Sequence, residues 1–122
     1  MTLLAAHVKV LNSLLYIRDS GTKDLPIIDG NGAYWSTPSC VAVCCLPDCD
    51  GATEIIIGTA DELPFSGSLL FDGWLNTSSH KMIVETVLAE KVLERSIPDV
   101  RTRVRIWTNG SRATDKVIVG LG

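Results

Sequence analysis

The 122-residue chain is 46% hydrophobic and only 20% charged, which excludes a disordered segment and suits one domain, residues 1–122, with a sizeable core. No apolar run approaches the ~20 residues of a membrane-spanning helix, so no membrane association is expected. The net charge of −3 weighs against a nucleic-acid partner.

Charge is unevenly spread. Between Lys23 and Lys81 there is no Lys or Arg, but eight acids: Asp24, Asp29, Asp48, Asp50, Glu54, Asp61, Glu62 and Asp72. From Lys81 onward, eight bases face five acids. The start, MTLLAAHVKV, has no leading positive charge and places His7 and Lys9 inside its apolar run, unlike a secretory leader. Four cysteines in such a chain point to a reducing, cytoplasmic setting and free thiols.

In chain order, Val8 and Val10 predict one short strand and residues 14–17 another, with Asn12-Ser13 as a bend or bulge between them. Residues 19–31 are turn-rich, punctuated by Asp-Ser-Gly, Leu-Pro and Asp-Gly, and form a surface loop that tucks Ile27 and Ile28 inward. Gly30-Asn31-Gly32 is a turn and not a phosphate cradle, and no cofactor motif occurs. Residues 39–46 (SCVAVCCL) predict a buried strand, 47–51 a loop, and 53–59 (TEIIIGT) an antiparallel return. Residues 60–64 are loop. Residues 68–75 predict a strand with a bulge at Asp72-Gly73.

Residues 81–95 carry two patterns. Good helix formers follow Ser78 and Ser79, which could cap them, yet Met82, Val84, Thr86 and Leu88 alternate with Ile83, Glu85, Val87 and Ala89. The alternation favours a strand over 81–88 and a shorter one around Val92-Leu93. Ile97-Pro98-Asp99 then turns the chain. From Arg101 to Trp107 the alternation is strict, with Thr102, Val104 and Ile106 on one face and Arg101, Arg103, Arg105 and Trp107 on the other. Asn109-Gly110 is a strong hairpin signal, and 116–121 (KVIVGL) suits a returning central strand. The sum is an all-β, two-layer antiparallel β-sandwich; a helix over 80–95 would make it α+β.

The chemistry-bearing residues mostly have plain readings. Cys40, Cys44, Cys45 and Cys49 cluster, but three lie on one predicted strand, where Cys40 and Cys44 share a face and Cys45 opposes them. They suit packing better than a tetrahedral zinc site, and Cys49 is the expected exposed thiol. His7 and His80 lack a nucleophile signature beside them, so no catalytic residue is assigned. The arginine stripe with Trp107 suits an outer sheet face paired with Glu85, Glu90 or Glu94 better than a phosphate platform. Asp48, Asp50, Glu54, Asp61 and Glu62 are expected near one end of the central hairpin. They form a solvated loop end or a recognition patch that steers a basic protein partner; metal binding is a third reading, but the ordered ligand spacing of a calcium loop is absent.

Met82-Ile83-Val84-Glu85-Thr86-Val87-Leu88, then Ile97-Pro98-Asp99, then Arg103-Val104-Arg105-Ile106-Trp107 resembles the closing strands of the competence protein J family. The pattern extends over roughly residues 37–121. The resemblance implies a β-sandwich that binds and inhibits a partner nuclease, with no catalysis and no cofactor of its own. No family binding motif is available to match, so it transfers no functional residue. The expected function is a protein-binding module of inhibitor or immunity type. Two other readings are a small-molecule carrier or enzyme with a pocket between the sheets lined by Tyr34, Trp35 and Trp74, and a structural protein without a dedicated site. A homo-oligomer is compatible with all three.

Overall fold

The computed structural model describes residues 4–22, 24–30, 32–59, 61–63, 67–110 and 112–122. Asn31 of the expected 30–32 turn, and Ala60 and Pro64 of the expected 60–64 loop, lie outside them. The described residues form ten strands: β1 (Leu4–Val8), β2 (Leu14–Asp19), β3 (Tyr34–Thr37), β4 (Cys40–Cys44), β5 (Thr53–Thr59), β6 (Ser68–Asn76), β7 (Lys81–Thr86), β8 (Lys91–Ser96), β9 (Arg101–Thr108) and β10 (Lys116–Leu121). Two short 3-10 turns span Leu11–Ser13 and Asp48–Asp50.

One sheet has the order β1-β5-β10-β9-β6 and the other β3-β4-β2-β7-β8. They pack face to face as an all-β sandwich. Leu15, Ile17, Val41, Val43, Met82 and Val84 from one inner face meet Ile55, Ile57, Val104, Ile106, Val117 and Val119 from the other in a single core. The period-two pattern of β9 is realised, with Thr102, Val104, Ile106 and Thr108 buried. Its hairpin with β10 pairs Val117 with Thr108 and Leu121 with Val104.

Residues 81–95 form strands, not a helix. Met82–Thr86 are all buried because β7 lies between β2 and β8, which a one-sided helix could not satisfy. Thr86 fixes the turn that follows. Its amide donates to Glu90 O, its hydroxyl accepts from the amides of Leu88 and Glu90, and Ala89 takes a left-handed φ of 61°.

The antiparallel hairpin expected between 39–46 and 53–59 does not form. β4 and β5 belong to different sheets, and β5 pairs antiparallel with β1 and parallel with β10, so the sandwich is not wholly antiparallel. Both strands are covered on both faces, so their apolar sequences carry no alternation to mark a partner. The crossing between sheets is held by the Cys45 amide donating to Ser13 O and the Leu46 amide to Thr114 O. The Asn12-Ser13 bend does similar work between β1 and β2, with φ of 61° and 55°.

Ile27 and Ile28 do not tuck inward; they are 84% and 39% exposed. The space under their loop is filled by Leu14, Ala42 and Cys44 with Tyr16 and Trp35, while Trp35 Nε1 donates to Asp29 O and Arg18 to Thr22 O. In β6 the irregularity falls between Leu69 and Phe71, not at Asp72-Gly73. Gly73 has a packing role instead, since a Cβ there would meet the Phe71 ring at 2.8 Å.

Two substitutions test this packing. Ile106, 0% exposed at the centre of the core, is expected to cost about 2–5 kcal/mol as Ile106→Ala in chemical denaturation. Gly67 has φ +91° and would place a Cβ 2.1 Å from Thr108 O, so Gly67→Ala should destabilise by about 1–3 kcal/mol or more. A loss below about 0.5 kcal/mol in either variant, the size of an ordinary surface change, would contradict the packing described.

Candidate protein-binding surface

The structure divides the five acids between the two ends of β5. Asp48 and Asp50 sit on the 3-10 turn before it, and Glu54 is its second residue. Asp61 and Glu62 follow its far end, about 20 Å away for a seven-residue strand. The expectation of one acidic end therefore fails on strand length, and that distance also exceeds the ~8 Å screening length at physiological salt. The two groups act as separate fields.

Within the first group the charges are not equal. Glu54 lies 3.5 Å from His7 Nε2 and 3.7 Å from Lys116 Nζ, because His7 and Lys116 are its lateral neighbours on β1 and β10. Asp50 is exposed and Asp48 half-exposed. Beside their turn the sandwich end forms a groove of about 410 Å³ lined by Ile28, Asp29, Trp35, Pro47 and Arg112 among others. This end thus offers two acids on a short turn beside a partly apolar groove. Such an arrangement suits docking against a basic surface.

At the other end, Glu62 is engaged within the fold. Its Oε1 accepts from the Thr59 amide at 2.7 Å and the Thr59 hydroxyl at 3.0 Å, and lies 2.8 Å from Arg95 Nη1. The Thr59 amide first, then the Arg95 guanidinium, bring its pKa from the ordinary 4.5 to about 2. The Arg95 side chain is only 5% exposed. It sits at an inward register position, opposite the fully buried Met82. The ion pair was not anticipated; its one signal was a charged residue where alternation in β8 calls for an apolar one. Of these two, Asp61 is exposed and Glu62 is not.

The remaining residues take structural places. Cys40, Cys44 and Cys45 are buried and Cys49 is exposed. Burial pushes the Cys40 thiol up to about 12 and the Cys45 thiol to about 11. No group of three His, Cys, Asp or Glu side chains that could hold a metal comes together among the described residues. His80 occupies a turn with φ 60°, its Nδ1 3.1 Å from Ile97 O.

The arginine stripe lies on an outer face as expected, but not against the expected glutamates, which belong to the other sheet. Arg103 forks onto Asp72 at 2.8 and 3.0 Å, Arg101 lies over Trp74, and Arg105 over Trp107. Glu85 pairs with Arg18, and Glu94 with Lys81 and Lys91. Tyr34 and Trp74 are 41% and 55% exposed, and Tyr34 packs edge-on against Phe71. With the aliphatic core filling the space between the sheets, these aromatics do not line an interior pocket.

No protein-family model and no curated protein matches the sequence. Solved structures do match the fold. Superposition on ComJ from Bacillus subtilis, the inhibitor of the DNA-degrading activity of NucA, gives a TM-score of 0.72 at 9% identity over 97% of this chain and 93% of that one. The chain has the ComJ fold. The product of crocagin biosynthetic gene J aligns with a TM-score of 0.58 at 14% identity, over 99% of this chain and 97% of that one. No helix among the described residues is long and apolar enough to cross a membrane.

Because Glu62 titrates lower in the folded protein than in the unfolded chain, its contribution to stability is complete above about pH 4.5 and disappears as the pH falls towards 2. Glu62→Gln should therefore flatten the acid limb of the stability curve between these values, followed by the denaturation midpoint against pH. An unchanged slope would show that the Thr59 and Arg95 contacts to this carboxylate do not hold in solution.

Proposed function

We propose that the protein is a non-catalytic binding module that docks on a basic, nuclease-like protein and blocks it. What carries this reading is the match to a nuclease inhibitor over nearly the whole of both chains. The charge distribution supports it independently. A protein that holds DNA does so with a basic cleft, and a carboxylate-bearing turn can occupy that cleft in place of phosphates.

The docking end consists of Asp48 and Asp50, with Glu54 partly offset by Lys116 and His7. Trp35 and Ile28 supply apolar contact in the neighbouring groove. Asp61 adds charge at the opposite end, and Glu62 acts on the fold through Arg95. The setting is cytoplasmic, where the thiols stay reduced.

Equimolar protein is expected to suppress DNA degradation by a nuclease of the same cell. The double variant Asp48→Asn/Asp50→Asn should slow association by about tenfold at low ionic strength, with the difference closing at high salt, while Asp61→Asn changes little. Failure to inhibit any nuclease of that cell would overturn the reading. Equal association rates for the double variant and the parent would move the docking surface elsewhere.

A further inference from the structure

The two sheets end in β1 and β6, and in β3 and β8. An edge strand presents a row of open main-chain donors and acceptors, which proteins guard by shortness, Lys, Pro or inward charge. β3 has four residues and β1 five, and β8 carries Lys91, Glu94 and the inward Arg95. β6 has none of these guards. It runs for nine residues without Lys, Arg or Pro, and its one charge, Asp72, is held by the Arg103 fork. Leu69 and Trp74 are 53% and 55% exposed on it.

Its neighbours fix which residues open onto this edge. The Gly122 amide donates to Arg103 O, so Arg103 turns its main chain towards β10, and Trp74 opposite it turns its own away from β9. By alternation Asp72 and Asn76 open the same way, and the Asn76 amide does donate outward, to Pro38 O. Among the described residues nothing pairs with the edge-facing groups of Asp72 and Trp74.

These positions select one register for a second copy. Hydrogen bonds across an antiparallel seam need edge-facing residues opposite one another, so a two-fold axis can pass through Asp72, Gly73 or Trp74. An axis at Asp72 sets two like charges face to face and opposes Trp74 to the irregular stretch between Leu69 and Phe71. An axis at Trp74 opposes Asp72 to Asn76, whose amide is already given to Pro38 O. The axis at Gly73 avoids both faults. Asp72 then faces the partner's Trp74, and Trp74 the partner's Asp72, each pair exchanging both of its hydrogen bonds. The incoming carboxylate lies beside the Arg101 guanidinium that sits over Trp74, and at the centre two glycines let the main chains approach to ~4.5 Å. We propose that two copies of this chain pair through β6 about Gly73, joining their five-stranded sheets into one. None of Asp48, Asp50 or Glu54 takes part, so the proposal does not depend on the inhibitor reading.

Sedimentation over a concentration series, together with amide exchange of the ¹⁵N-labelled protein, tests it. A concentration-dependent rise to twice the chain mass is expected, with the Asp72 and Trp74 amides slowing by about tenfold or more in the dimer. Trp74→Pro removes a seam donor and the exposed indole without removing a hydrogen bond within the chain. It should weaken dimerisation by about tenfold or more with a native-like spectrum. If it does not fold, the exchange of the two amides in the parent decides alone. A monomer up to about 1 mM, a dimer in which those amides exchange as fast as in the monomer, or undiminished pairing by a folded Trp74→Pro variant would overturn the proposal. Slowing of the two amides only when a candidate nuclease is added would assign the edge to that partner and equally overturn it.

Discussion

The parallel pairing of β5 with β10 organises the molecule. Register from Lys116 opposite Glu54 to Leu121 opposite Thr59 places β10 in the middle of its sheet, with β9 on its other side. A parallel neighbour cannot be reached by a tight turn, and here the two strands lie far apart in sequence. The chain enters β5 from the opposite sheet, through the segment pinned by Cys45 and Leu46. That crossing projects Asp48 and Asp50 from one end of the sandwich. Leaving β5 at the other end places Glu62 where it meets Arg95. The two polar features of the protein thus lie at the two ends of one strand.

How much of this was legible in the sequence depended on whether a strand keeps one face towards solvent. β9 does, and its alternating Arg and Val/Ile pattern gave strand, facing and hairpin partner together. β7 is the exception: both of its faces are covered, yet its alternation outweighs its helix formers. β4 and β5 are buried on both sides, so CVAVC and TEIIIGT define strands without naming their neighbours, and the nearest in sequence was the wrong choice. The inward placement expected of Ile27 and Ile28 followed the general tendency of isoleucine to be buried. They lost the space to Trp35, whose indole both fills it and anchors the loop.

The acids show the same division. That Asp48 and Asp61 flank opposite ends of a seven-residue strand follows from its length alone. The engagement of Glu62 does not, because its partner lies in the other sheet and 33 residues away along the chain. Only the inward position of Arg95 hinted at it. The arginine stripe was placed on the correct face, but its partners follow from the sheet order: β6, carrying Asp72 and Trp74, lies beside β9. Net charge is a property of composition; which charges remain free is a property of topology.

Two solved structures with little sequence in common share this architecture, so the sandwich alone does not specify an activity. In the proposed function, the activity rests on the loops at its ends. The central claim is that a nuclease-like partner covers the acidic end. Hydrogen exchange of the protein, free and mixed with a candidate nuclease of the same cell, tests this most directly. The account predicts added protection at residues 46–52 and in the flanking 28–33 and 109–115 segments, with 61–63 and 76–81 unchanged. Protection confined to the Glu62–Arg95 end, or to the outer face of β9, would contradict it.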